Sequence, residues 1–137
     1  MSLPLMGGVS GAEPESARDA LDGLYATGHW LYTHSRFHDA ATVFRALVWC
    51  APTDERGWLS LGACHEAVGQ KDIALEIYGA AGAVAQTAGR CELARARIYR
   101  ARAMETKANE AIERAVEIAE ENDDDALRAL VAKERRQ

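Results

Sequence analysis

The sequence predicts an all-α fold: a solenoid of three helix hairpins closed by a C-terminal capping helix. Three observations lead there. Gly28, Ala40 and Phe44 recur 34 residues later as Gly62, Ala74 and Tyr78, while Pro52 is answered by Gln86. Gly28, Gly62, Ala40 and Ala74 are expected where the two helices of a hairpin approach most closely, since interaxial distances of about 8–10 Å need small side chains at the contact. Between the apolar segments lie helix punctuators: Pro52, Asp54 and Gly69, followed later by the run Asn122–Asp125.

Each element follows in order. A first helix is expected over about 15–34, after Pro14 in a first-turn position. A second, over about 38–50, is closed by Pro52, which cannot continue it. Asp54 caps a third, over about 55–68, and Gly69 ends it in the left-handed conformation. The fourth spans about 71–85; its Gly79 and Gly82 cost helix propensity and are read as close contacts with the next hairpin. A fifth covers about 90–103. The sixth, about 106–121, has Thr106 as its expected cap. The aspartates after Asn122 favour the start of a last helix reaching about Arg136, which caps the open end of the stack.

A 34-residue period with Trp58, Leu61, Gly62, Gly69, Ala74, Tyr78 and Ala81 in place resembles the tetratricopeptide repeat. Repeats are expected over 21–54, 55–88 and 89–122, with the capping helix over 123–137, in one domain from 15 to 137. Residues 1–14, with their glycines, are read as a flexible tail: Gly7–Gly11 lacks the GK[ST] ending of a phosphate loop.

Composition narrows the function. A net charge of −5 offers no general attraction for nucleic acid or an anionic membrane. The N-terminus lacks a signal peptide's basic start and apolar stretch, and no segment approaches a membrane span. Three widely spaced cysteines, Cys50, Cys64 and Cys91, read as reduced, packed thiols in a cytosolic protein. His34 and His38 are separated by a turn, and His65 diverges from Cys64, so no zinc set is expected. Ser60, His65 and Glu66 on one helix make no triad, and no enzyme or cofactor is read from the chain.

In such a stack, positions 2, 5, 9 and 12 of each first helix line the groove. These are Asp22, Tyr25, His29 and Tyr32; then Arg56, Leu59, Ala63 and Glu66; then Arg90, Leu93, Arg97 and Arg100. The candidate peptide-binding residues are therefore Tyr25, His29, Tyr32, Leu59, Ala63, Glu66, Leu93, Arg97 and Arg100. Half-polar rings on one stripe suit peptide contact, combining apolar area with few rotatable bonds. The alternative is that the rings pack against the N-terminal segment. The arginines either meet an acidic stretch of a partner or pair with the acidic run Glu110–Asp125. Trp30 is either covered by residues 13–20 or a dimer contact, Trp58 is core, and Trp49 is expected to be partly exposed.

Tyr25–Tyr32, Phe37–Leu47 and above all Leu61–Tyr78 resemble the class II, or translocator, chaperones of bacterial type III secretion systems. The resemblance is good over residues 21–88 and weak over 89–121. It implies a cytoplasmic helical holdase that takes an extended hydrophobic segment of a secreted translocator into its groove. It also implies groove aromatics at Tyr25 and Tyr32, with His29 replacing the middle one, and the possibility of a homodimer. A groove three helices wide would hold about six to eight extended residues. The rival expectation is a tetratricopeptide scaffold docking a partner in a secretion or regulatory complex through its convex face.

Overall fold

The computed structural model describes residues 15–85 and 87–137; the expected tail over 1–14 and Gln86 lie outside the described residues. Those described form seven helices and no strand: α1 (Glu15–Thr33), α2 (Phe37–Cys50), α3 (Glu55–Ala67), α4 (Lys71–Val84), α5 (Gly89–Ala101), α6 (Glu105–Glu121) and α7 (Asp125–Arg135). Successive helices pack as antiparallel neighbours. In addition α1 touches α3, α3 touches α5, and α5 touches α7, so these four form one continuous wall. The helices α2, α4 and α6 lie behind it and do not meet one another.

Small residues let the hairpins close. The Phe44 ring of α2 lies so near Gly28 of α1 that a methyl group added there would sit 2.5 Å from the ring. Tyr78 of α4 does the same at Gly62 of α3, where the approach would be 2.1 Å. The residue on Gly62 is thus Tyr78, while Ala74 is fully buried one turn earlier. In the third hairpin the corresponding residues are Ala96 and Ile112, both buried in one apolar cluster. Burial, followed by a 2.5 Å hydrogen bond donated to Glu66, pushes the Tyr78 hydroxyl pKa upward.

The turn from each wall helix to its partner repeats one backbone device. Ser35, Gly69 and Ala103 all adopt left-handed φ, at 61°, 81° and 59°. The residue after each donates its N–H five residues back: Arg36 to Leu31 at 2.9 Å, Gln70 to His65 at 2.8 Å and Met104 to Tyr99 at 2.9 Å. This is the Schellman closure, which satisfies carbonyls left open at a helix end. Only Gly69 was legible as such, because the other two positions carry side chains that disfavour the conformation.

Several local expectations are corrected. Thr106 lies inside α6, and the cap position is Met104, which makes no side-chain bond. Gly79 and Gly82 are not tight contacts: added methyl groups would meet only the far ends of Arg95 and Glu92, at 4.0 and 3.9 Å. Cys64 and Cys91 are buried free thiols, whereas Cys50 is exposed. Trp49 is 87% exposed, and Trp58 is half-buried with its indole N–H donated to the Pro52 carbonyl at 2.7 Å.

Two substitutions test this packing by thermal or urea unfolding. Ala103→Gly removes a left-handed penalty of about 1–2 kcal/mol while adding some unfolded-chain freedom, so a net gain of roughly 0.5–1 kcal/mol is expected. Gly62→Ala drives a methyl group into the Tyr78 ring and should cost about 1–3 kcal/mol, despite better helix propensity. A neutral or stabilising Gly62→Ala would mean that the hairpin is not closed at this contact.

Candidate functional site

The wall's open face is built from one stripe of α1 and the facing side of α3. Asp22, Tyr25, His29 and Tyr32 follow one another at three- and four-residue steps, which places them on one helical face. Tyr25 and His29 stack with ring centres 6.2 Å apart, and Tyr25 leans on Phe44 at 6.1 Å. The Arg56 guanidinium of α3 sits 5.1 Å above the Tyr25 ring, a cation–π contact that joins the two wall helices. Tyr32 meets Phe37 edge-on at 5.2 Å.

Beside these rings is a hollow of about 230 Å³ lined by His29, Tyr32, Phe44, Leu59, Ser60 and Ala63. Four of these, His29, Tyr32, Leu59 and Ala63, were read from the sequence as groove residues. Phe44 and Ser60 were not. Phe44 was read only as a recurring repeat position, and the structure buries it to 2% exposure. Its ring lies against Gly28, where no side chain intervenes, and contributes to the floor of the hollow. The pairing of an aromatic with a glycine 16 residues earlier was the signal available.

Charges hold the wall helices in register along one edge. Arg56 pairs with Asp54 at 2.8 Å and reaches Asp22 of α1 at 3.6 Å. The hydrogen bond from Arg56 holds the Asp54 carboxyl below its usual pKa, while Asp54 accepts the Arg56 backbone N–H as the α3 cap. Glu55 is buried and accepts the Cys91 backbone N–H of α5 at 2.9 Å; burial pushes its carboxyl pKa up. Arg90 of α5 lies 3.7 Å from Glu55 and 3.1 Å from Asp124, the residue that caps α7.

The third hairpin does not extend this open face. Leu93 is 1% exposed and packs in the cluster containing Leu127 and Val131 of α7. Arg97 and Arg100 converge on Glu134 of α7, at 2.8 and 2.6 Å, and that carboxylate is 4% exposed. Leu93, Arg97 and Arg100 were expected in the groove; the C-terminal helix covers the first and engages the other two. The reason is geometric: α7 has no hairpin partner, so it buries Leu127, Val131 and Glu134 against α5 and α6 instead. From the acidic run Glu110–Asp125, the alternative partner, Asp124 pairs with Arg90 of this stripe. Glu66 also has a structural partner, the Tyr78 hydroxyl.

Among the described residues no group of three or more His, Cys, Asp or Glu converges as a metal site. His34 stacks on Trp30 at 3.9 Å and His65 bonds Gln70 at 2.7 Å. Trp30 remains 53% exposed. No helix among the described residues is long and apolar enough to cross a membrane.

The seating of α7 can be tested apart from any ligand. Arg97→Glu with Arg100→Glu removes both donors of buried Glu134 and surrounds it with like charge. A stability loss of about 2–4 kcal/mol is expected, somewhat less than for a fully buried pair because the arginines are partly solvated. An unchanged unfolding midpoint would contradict the closure of the third hairpin by α7.

No protein-family model matches the chain. Over 72 residues it is 38% identical to the low calcium response locus protein H of Yersinia pestis, a match spanning 53% of this chain and 43% of that protein. The match thus covers less than half of the curated relative's length. In structure it is similar to the type III secretion translocator chaperone SycD of Yersinia enterocolitica, with a TM-score of 0.74 and 25% identity over 86% of this chain and 87% of SycD. It is also similar to PcrH, a Pseudomonas aeruginosa protein, in complex with the chaperone binding region of PopB: TM-score 0.70, 26% identity, 90% and 98% of the two chains. In fold over most of its length, and in sequence over about half of it, this chain is similar to the type III secretion translocator chaperones that its repeat residues resemble.

Proposed function

We propose that this chain is a cytoplasmic chaperone that holds an extended hydrophobic segment of a secreted translocator protein, keeping it soluble before type III secretion. The observation that carries the reading is the hollow formed by His29, Tyr32, Phe44, Leu59, Ser60 and Ala63, on the open face of a fold like those of PcrH and SycD. PcrH was crystallised with the chaperone binding region of PopB. Apolar side chains flanked by the polar tips of His29 and Ser60 suit one anchor residue and the backbone beside it.

With α7 over the third hairpin, the open face runs across α1 and α3 to the edge of α5. Two interhelical steps give about 16–20 Å, room for roughly five or six extended residues. That is shorter than the three-helix groove expected from the repeats. The role is one of holding, with no catalytic step and with neither nucleic acid nor membrane as partner. Trp30, half-exposed at the end of α1, is a surface for a second copy of the chain. The rival reading, a scaffold docking through its outer face, draws its support from Trp49 on that side.

Co-purification from the native cell should recover a translocator with long apolar helices. Against that client, Tyr25→Ala with Tyr32→Ala should weaken binding by about 1–3 kcal/mol per ring while leaving the helical signal nearly intact. Ala63→Leu, which fills the hollow, should reduce binding at nearly unchanged stability. Wild-type affinity in both variants, with loss on Trp49→Ala, would replace the groove reading with the scaffold.

A further inference from the structure

We propose that the chain's own segment Leu3-Pro4-Leu5-Met6 occupies the hollow beside His29 and Tyr32 whenever no client is there. The proposal rests on the reading of this face as a holder of extended apolar chain. It adds a competitor in cis that a client has to displace.

The route is set by where α1 begins. Its first residue, Glu15, stands at one end of the stripe that continues through Arg18, Asp22, Tyr25, His29 and Tyr32. A second hollow, of about 270 Å³ and lined in part by Arg18, Leu21, Asp22 and Arg56, lies along the first half of that path. Glu15 therefore marks the end of the face that leads to the Tyr32 hollow. The helical rise puts His29 about 21 Å from Glu15. Residues 7–14, extended at ~3.3 Å each, reach about 26 Å, which brings Met6 to His29 with a little to spare.

The composition of the segment fits the site. Leu3, Leu5 and Met6 are three apolar side chains within four residues, matching a lining of Tyr32, Phe44, Leu59 and Ala63. Pro4 fixes its φ in the extended range and so lowers the ordering cost. Residues 7–12 carry no charge and include Gly7, Gly8 and Gly11, so they pass the Asp22–Arg56 pair and the Tyr25 ring without burying an ion or a bulky side chain. Attachment through eight residues gives the segment an effective concentration on the order of 1 mM at the hollow, so modest intrinsic affinity suffices.

The test uses the full chain, a form lacking residues 2–14, and the variant Leu3→Ser with Leu5→Ser and Met6→Ser. Backbone amide spectra should differ between the full chain and both variants at His29, Leu59, Ser60 and Ala63, with matching helical content. A synthetic peptide of residues 1–12 should restore the full-chain positions in the shortened form, half-saturating below about 1 mM, and should bind the full chain at least about fivefold more weakly. Superimposable spectra would overturn the proposal, as would shifts confined to the outer face around Trp49. Shifts that grow with protein concentration together with dimer formation would also overturn it, by assigning the segment to a second copy. If these fail while Tyr25→Ala with Tyr32→Ala still loses the client, the segment is elsewhere and the chaperone reading stands.

Discussion

The contact on which the rest of the structure depends is an aromatic ring lying on a residue without a side chain. Phe44 on Gly28 and Tyr78 on Gly62 bring each wall helix against its partner at a distance no larger residue would allow. The same Phe44 ring also lines the hollow, so one residue both closes the first hairpin and supplies part of the hollow's lining. In the third hairpin, where Ala96 meets the smaller Ile112, the contact is preserved by reducing the large partner as the small one grows.

Hairpins closed in this way still need a fixed stacking angle. That is provided by polar links between wall helices: Arg56 reaching Asp22, Glu55 accepting the Cys91 amide, and Arg90 bridging Glu55 and Asp124. Asp22, Arg56, Arg90 and Asp124 are spaced 34 residues apart, so the repeat period carries into the helix that ends the stack. The exposed members of this series add little stability each, but the buried Glu55 and Glu134 are different. A carboxylate removed from water is costly unless its partners are in place, which makes these residues sensitive to helix placement. Glu134 couples α7 to Arg97 and Arg100 and thereby sets where the open face ends.

The chain therefore offers a short apolar hollow between α1, the Phe44 ring and the α3 surface, while α7 packs farther along the stack, against α5 and α6. Similarity to SycD and PcrH extends over most of the chain. The residues that give this face its chemistry lie in the first two hairpins, where the repeat signature is also strongest.

By itself the sequence determined the helix order, the hairpin pairing and the grouping of His29, Tyr32, Leu59 and Ala63 on one face. These depend on a linear period, and a 34-residue repeat writes the same packing demand at each recurrence. The left-handed turns at Ser35 and Ala103 were hidden, because backbone closure there outweighs a side-chain preference that only Gly69 displays. The fate of Leu93, Arg97 and Arg100 was decided by tertiary structure alone. Their positions match those that are open in the first two hairpins, and what changes is their neighbour. Lacking a hairpin partner, α7 turns Leu127, Val131 and Glu134 inward, because burying apolar surface against α5 and α6 is more favourable than leaving that face in water.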